Sequence, residues 1–135
     1  MKLSTKCRYG IRAIIEIAEN YGKGPVKRKT IVKNQNIPDS YLENILILLR
    51  NKGIISTIRG ANGGYILNNA PQEVDLLEVV NALEGTLSPV ICLENNSFCD
   101  KFEECSIVGV WKELRQIQED FLHGISIQSL IDKEK

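Results

Sequence analysis

Residues 30–67 contain the pattern that most restricts the fold: two helical segments, then an alternating segment and a glycine-rich turn. The spacing of apolar residues predicts a short helix at about 30–35 and a stronger one at about 39–52, which Gly53 ends. The segment 54–58 alternates and is β-branched, and 65–67 is a second short strand beyond the turn. Two helices followed directly by a hairpin are typical of a winged helix-turn-helix.

The same spacing predicts the remaining helices, at 3–21, 74–83, 106–122 and, for a turn or two, 125–131. Side chains suited to the N-cap stand at the predicted starts: Ser4 or Thr5, Thr30, Asp39 or Ser40, and Ser106. We therefore expect a mainly α protein with a small β-hairpin wing. A chain of 135 residues forms one compact domain, with a winged helix-turn-helix in 1–70 and a second region in 71–135.

The net charge of zero conceals a strong asymmetry. Residues 1–70 carry 12 basic and 4 acidic groups, a balance of +8, whereas residues 71–135 carry 5 basic and 13 acidic groups, a balance of −8. A basic half indicates a polyanion partner, because neutralised phosphates release counterions. Two solvated faces of opposite sign explain the counts equally well. An arginine in the predicted wing, Arg59, suits a minor groove, where negative potential concentrates.

No targeting or membrane signal is visible in the sequence. The N-terminus has no apolar signal core, and no apolar run approaches the roughly 20 residues that a membrane span needs. We therefore expect a cytoplasmic protein. An enzyme is the least favoured class, since the single histidine, His123, has no nucleophile beside it and no phosphate loop or paired-carboxylate motif is present.

Three of the four cysteines stand in one irregular segment, at about 86–105. Six residues separate Cys92 from Cys99, and five separate Cys99 from Cys105. This spacing lacks the Cys-x-x-Cys knuckles of structural zinc, whereas soft thiolates suit iron–sulfur clusters. Unligated thiols in a loop are the alternative. Cys7 shares the apolar stripe of the first helix, so we favour an ordinary buried cysteine over a further ligand.

Several segments together resemble one protein family. They stand in matching order and spacing: 2–13 (Lys-Leu-Ser-Thr-Lys-Cys-Arg-Tyr-Gly-Ile-Arg-Ala), 25–26, 41–43, 49–53 (Leu-Arg-Asn-Lys-Gly) and 59–67 (Arg-Gly-Ala-Asn-Gly-Gly-Tyr-Ile-Leu). The chain resembles the Rrf2 family of bacterial winged-helix transcription regulators, repressors among them. The wing and the three cysteines are the specific parts of the resemblance.

The resemblance implies a cytosolic homodimer that binds a pseudo-palindromic DNA operator. The residues it assigns to DNA are Ser40, Tyr41, Glu43 and Asn44 on the recognition helix, Arg59 and Gly60 in the wing, and Lys29 and Lys33, with Lys27 and Arg28, on phosphates. Tyr41 as a core anchor is the alternative role for that side chain. The helix at about 106–122 would form the dimer interface through Ile107, Val110, Trp111, Leu114, Ile117 and Phe121, unless that stripe packs within one chain.

The resemblance also implies that Cys92, Cys99 and Cys105 hold a 2Fe–2S or 4Fe–4S cluster. The position of the histidine ligand of some members is Val108, and that of the aspartate ligand of others is Arg8, so the fourth ligand is open. The remaining options are Cys7, an exogenous ligand, or a loop carboxylate: Glu94, Asp100, Glu103 or Glu104. The expected function is a DNA-binding regulator that senses iron–sulfur, redox or nitric oxide status. A thiol or zinc switch without a cluster is the alternative.

Overall fold

The computed structural model describes residues 2–134, which form six helices and a two-stranded sheet. The elements in chain order are α1 (Thr5–Glu19), α2 (Arg28–Gln35), α3 (Asp39–Asn51), β1 (Ile55–Ile58), β2 (Gly64–Leu67), α4 (Leu76–Glu84), α5 (Val108–His123) and α6 (Ile127–Glu134). Single 3-10 turns cover Pro71–Glu73, Ile91–Leu93, Asn96–Phe98 and Phe102–Glu104. The predicted fold class, mainly α with a hairpin wing, is confirmed. No helix within 2–134 is long and apolar enough to cross a membrane.

Helix α1 is the centre of the hydrophobic core, with α2, α3, α4, α6 and β2 packed around it. Ala13, Ile14 and Ile17 are fully or almost fully buried on this helix. The packing is closest at Gly10, where an added Cβ would lie 2.3 Å from Cδ1 of Leu83 on α4. A larger side chain at Gly10 would therefore require Leu83 to move at this helix contact, which joins the basic and acidic halves of the chain.

Helix α6 returns to the core beside α1, so the last described helix packs against the first. Ile127 and Ile131 are buried there. Two backbone bonds fix the entry to this helix: Ile127 N–H donates to Val74 O and Leu76 N–H donates to Ile125 O, both at 2.8 Å. These bonds hold Val74 extended. The predicted helix at 74–83 therefore starts only at Leu76.

The predicted N-cap is correct for α1 and wrong for α2. Ser4 is the N-cap of α1, and its hydroxyl accepts the Cys7 N–H at 3.0 Å, as predicted. Thr30 is not a cap, because α2 already begins at Arg28, directly after Val26 is bonded to the hairpin. Lys27 is the N-cap of α2 and makes no side-chain capping bond.

The predicted caps of α3 and α5 are wrong for different reasons. The N-cap of α3 is Pro38, and Asp39 is already helical. The side chain of Asp39 does not cap the helix, because it is engaged by an arginine of α2, as described below. The N-cap of α5 is Ile107, whose backbone is helical and which makes no side-chain capping bond, so Ser106 is not the cap.

Candidate nucleic-acid interface and cysteine loop

Helices α2 and α3 form a helix-turn-helix whose second helix presents a polar face to solvent. The side chains of Ser40, Tyr41, Glu43 and Asn44 are exposed. The opposite face of α3 enters the core through Leu42, Ile45, Leu46 and Leu49. The helical period separates the two sets, so the residues predicted to contact DNA lie together on one outward surface.

The turn between the helices is fixed by one strained residue and one buried one. Asn36 ends α2 in the left-handed conformation, with φ of 52°. Ile37 follows it with 1% of its surface exposed. Asparagine tolerates this backbone better than other side chains with a Cβ, so the sharp turn and the apolar anchor together set the angle of α3.

The hairpin is bonded directly to the start of α2. Val26 and Tyr65 exchange two backbone hydrogen bonds, at 2.9 Å and 2.8 Å. The approach is close enough that a Cβ at Gly64 would lie 2.5 Å from Val26 O. The wing and the first residues of α2 consequently share one concave surface, lined by Lys27, Arg28, Lys29, Gly60, Ala61, Gly63 and Gly64.

The remaining predicted contacts on this side are also open to solvent. Arg59 follows β1 directly, and Lys33 lies on α2; both are exposed, as is Lys29. The structure thus brings all the residues predicted for DNA within the helix-turn-helix and its wing, on surfaces that solvent reaches. Arg28 differs from its lysine neighbours, because its guanidinium turns toward α3.

Tyr41 packs against α1 and also reaches solvent. Its ring packs edge-on against Tyr9 of α1, with centroids 5.6 Å apart and planes at 85°. The Arg12 guanidinium lies 5.3 Å from the centroid of Tyr9 and its Nε donates to Gln35 Oε1 at 3.3 Å. Tyr41 nevertheless keeps 36% of its surface exposed. The recognition helix is therefore anchored to α1 through a side chain that also reaches solvent.

A buried carboxylate that sequence reasoning missed fixes α2 against α1. Glu16 is 8% exposed, accepts from Asn34 Nδ2 at 2.6 Å and from Gln35 Nε2 at 2.9 Å. The sequence did carry one sign of this buried carboxylate, because Glu16 stands between Ile15 and Ile17 in an apolar stretch of the first helix. The two amide donors offset the cost of burying the carboxylate, and their hydrogen bonds orient α2 against α1.

Each of the three loop cysteines is associated with one of the 3-10 turns. Cys92 lies within Ile91–Leu93, while Cys99 and Cys105 directly follow the next two turns. All three are free thiols of intermediate exposure. Their chemistry suits iron or another soft metal. However, no three metal-binding side chains converge within residues 2–134. The three thiols therefore have the chemistry of metal ligands, but the folded loop does not bring them together.

Cys7 lies in the core, apart from this loop. Its side chain has no exposed surface. Burial raises the pKa of the Cys7 thiol to about 11, and the charge of Glu84 and a hydrogen bond to it act in the same direction. A neutral, buried thiol is a poor metal ligand, because ligation requires the thiolate. His123 is also engaged elsewhere, with Nδ1 2.8 Å from Oδ2 of Asp75.

Helix α5 has an apolar stripe that the rest of the described chain covers only in part. The structure reports no buried residue on this helix. Ile107, Val110, Ile117 and Phe121 are exposed, the last with 69% of its surface, while Trp111 and Leu114 are partly exposed. Packing within one chain, the alternative considered above, is therefore only partial within residues 2–134: α5 contacts α4 and the turn at Ile91–Leu93, and four members of the stripe stay exposed.

The helix-turn-helix, the attached hairpin and the exposed polar face of α3 define a winged-helix DNA-binding regulator. The family model described as Rrf2, iron-dependent transcriptional regulator, matches residues 3–133. The chain therefore belongs to the Rrf2 family of transcriptional regulators, as its resemblance implied.

Named relatives support the same assignment. The transcriptional regulator CymR of Bacillus subtilis is 36% identical over 130 residues, covering 96% of this chain and 89% of CymR. The regulator IscR of Photorhabdus laumondii is 30% identical over 135 residues, covering 100% of this chain and 82% of IscR. The solved structure of CymR, the global cysteine regulator of B. subtilis, has a TM-score of 0.80 at 33% identity and covers 98% of both chains. These relatives are regulators, so the prediction of a non-enzyme is confirmed.

Proposed function

We propose that the protein regulates transcription by placing α3 in the major groove and its wing in the adjacent minor groove. The observation that carries this proposal is the double hydrogen bond between Val26 and Tyr65, which holds the wing beside α2. On this surface Asn44 suits adenine and Glu43 suits cytosine, whereas Ser40 and Tyr41 donate to phosphates. Arg59 enters the minor groove. Gly60, Lys29 and Lys33 approach the DNA backbone.

We further infer that two copies associate through the stripe on α5. Four large apolar side chains are exposed at the N-cap of α5 and along the helix: Ile107, Val110, Ile117 and Phe121. They lose unfavourable contact with water when a second copy covers them. A twofold dimer presents two recognition helices to half-sites about one DNA turn apart. A regulator of the chromosome acts in the cytoplasm, which is the location we infer.

For the sensing step, Cys92, Cys99 and Cys105 are the residues that would hold an iron–sulfur cluster. Their support is the donor set itself: three unpaired, partly exposed thiols in one loop. Such a cluster would supply a centre that reacts with oxidants or nitric oxide. The chain's part is to present the thiols and to link the loop to α5, where Lys112 Nζ lies 5.5 Å from the centroid of the Phe102 ring. Regulation requires that the two states of the loop differ in DNA affinity.

A thiol switch without iron is the second candidate. It is favoured by the separation of the three thiols, which are free and do not converge in the folded loop. Oxidation of two of them by a peroxide would form a disulfide, with two thiol protons and two electrons passing to the peroxide. This reaction would change the loop and would need no metal.

One purification separates these candidates. We expect the full chain purified without oxygen to absorb visible light and to contain iron and acid-labile sulfide. Replacing Cys92, Cys99 and Cys105 with alanine should remove the absorbance, whereas Cys7→Ala should retain it. A colourless wild type whose DNA affinity changes with peroxide would favour the thiol switch. Colour retained in the triple variant would place the cluster elsewhere.

A further inference from the structure

The guanidinium of Arg28 is directed at the recognition helix. Its Nε lies 2.9 Å from Oδ1 of Asp39, and Nη2 donates to Oδ2 of the same carboxylate at 3.5 Å. The third nitrogen, Nη1, lies 3.6 Å from Oε1 of Glu43. One arginine at the start of α2 therefore faces two carboxylates of α3, and it engages Asp39 in the forked geometry that arginine favours.

The two carboxylates lie close together at the start of the recognition helix. Asp39 and Glu43 are four residues apart, so they lie above one another on the same face at the start of α3. This is the end of the helix that the proposed function places against DNA. Without a counter-charge, two acidic groups at that end would repel the phosphates. Arg28, whose side chain is 37% exposed, neutralises one of the two charges with its guanidinium directed at α3.

We propose that Arg28 is a positioning residue that sets base preference by fixing the carboxylate of Glu43, and is not a phosphate contact. The inference rests on the proposed DNA-binding surface. A carboxylate held through Oε1 leaves its second oxygen to accept from the amino group of cytosine. When Arg28 is absent, the Glu43 side chain is free to change rotamer, so its carboxylate no longer points at one base. Its negative charge then repels any base edge that presents only hydrogen-bond acceptors.

This role differs measurably from the one expected of a lysine on the same surface. Exposed ion pairs contribute little to folding stability, so removing Arg28 should change binding much more than unfolding. A phosphate contact weakens binding to all sequences alike, whereas a positioning residue changes which bases are preferred. Lys29 is the matched control, because it is the next residue, is exposed, and has no ion pair recorded within residues 2–134.

The test is selection of bound sequences from a duplex library with a randomised core, using the full chain. The variants are Arg28→Ala, Arg28→Lys, Lys29→Ala and Glu43→Gln. We expect Arg28→Ala and Glu43→Gln to lose the same base preference, by about tenfold at one position of each half-site. Arg28→Lys should lose part of it, since lysine keeps the charge without the fork. Lys29→Ala should keep the wild-type consensus at uniformly lower affinity.

The double variant with both Arg28→Ala and Glu43→Gln should show no further change in base preference, because the side chain that Arg28 positions is already altered. Thermal melting of each variant verifies that the fold is intact. An Arg28→Ala consensus identical to that of wild type, with every duplex weakened equally, would make Arg28 a phosphate contact and overturn the proposal. If the wild type itself enriches no consensus, the proposed DNA-binding surface fails together with this inference.

Discussion

Ser4 and Glu84 join the first helix to the end of the fourth, although 80 positions separate them in the chain. The backbone amide and the hydroxyl of Ser4 both donate to Oε1 of Glu84, at 2.8 Å and 2.5 Å. Burial raises the pKa of Glu84, but the bonds from Ser4 and the charge of Lys6 lower it by more. Because Glu84 ends α4 just before the cysteine segment, this contact connects that segment to the start of α1.

The first prediction concerns the thiol beside this contact. The pKa of Cys7 is raised from 9.0 to about 11, so the neutral thiol stabilises the folded state. This contribution is complete below pH 9 and is lost between about pH 9 and 11, where only the unfolded chain has lost the proton. Over this pH range the wild type should therefore lose up to about 3 kcal/mol of unfolding free energy that Cys7→Ala does not lose.

Urea denaturation at several pH values between 8 and 11 measures the effect. Ile14→Val is the control, because it also changes a buried side chain of α1 but removes no titratable group. Equal slopes for wild type and Cys7→Ala would contradict the assigned pKa.

The second prediction concerns the close contact between α1 and α4. Gly10→Ala should lower the free energy of unfolding by about 1–3 kcal/mol, since the new methyl group would overlap Leu83 in a packed core. Gly109→Ala is the matched control in α5, where a Cβ meets no atom within 4 Å. That variant should be neutral or more stable, because alanine is the better helix former. Chemical denaturation of both variants provides the measurement, and a stabilising Gly10→Ala would contradict the packing.

The third prediction concerns the buried carboxylate under α2. Glu16→Ala should cost about 1–3 kcal/mol of stability, because Asn34 and Gln35 each lose an acceptor. The loss of Asn34 should matter less once Glu16 is absent, so a double-mutant cycle of Glu16→Ala with Asn34→Ala should show coupling. Strictly additive changes in the free energy of unfolding would mean that the two side chains act independently.

The fourth prediction concerns the wing. Arg59→Ala should weaken operator binding by roughly 1–3 kcal/mol if the arginine contacts a groove. Lys133→Ala is the control for loss of one positive charge, because Lys133 is exposed on α6, outside the proposed surface. A gel-shift titration at fixed salt compares the two variants. Equal affinities for Arg59→Ala and wild type would remove Arg59 from the interface.

The fifth prediction concerns the stripe on α5. Ile117→Lys should convert the proposed dimer to a monomer, since it places a charge in the centre of the apolar face, where Ile117 is 58% exposed in the single chain. Gln116→Lys adds the same side chain next to it and outside the stripe, so it should remain dimeric. Sedimentation velocity of the three proteins distinguishes the outcomes. A wild type that is already monomeric at micromolar concentration would exclude the proposed interface.

The helix-turn-helix and wing could be predicted because their signals are local. The 3.6-residue spacing in α3, the glycine after it and the β-branched alternation of β1 depend only on neighbouring residues. The single-loop grouping of Cys92, Cys99 and Cys105 is equally a property of the sequence. The unburied stripe on α5 was also visible as spacing, although the sequence alone left open whether another part of the chain covers it.

Helix starts and side-chain partners depended on tertiary structure, because they are set by groups distant in the chain. The start of α2 follows from the bonds between Val26 and Tyr65, and that of α4 from the bond between Val74 and Ile127. Likewise, Arg28 was expected to face phosphate, yet two carboxylates brought close by the turn attract its guanidinium. Local pattern determined the elements and their order, whereas charge and hydrogen-bond partners were decided only when packing placed distant residues together.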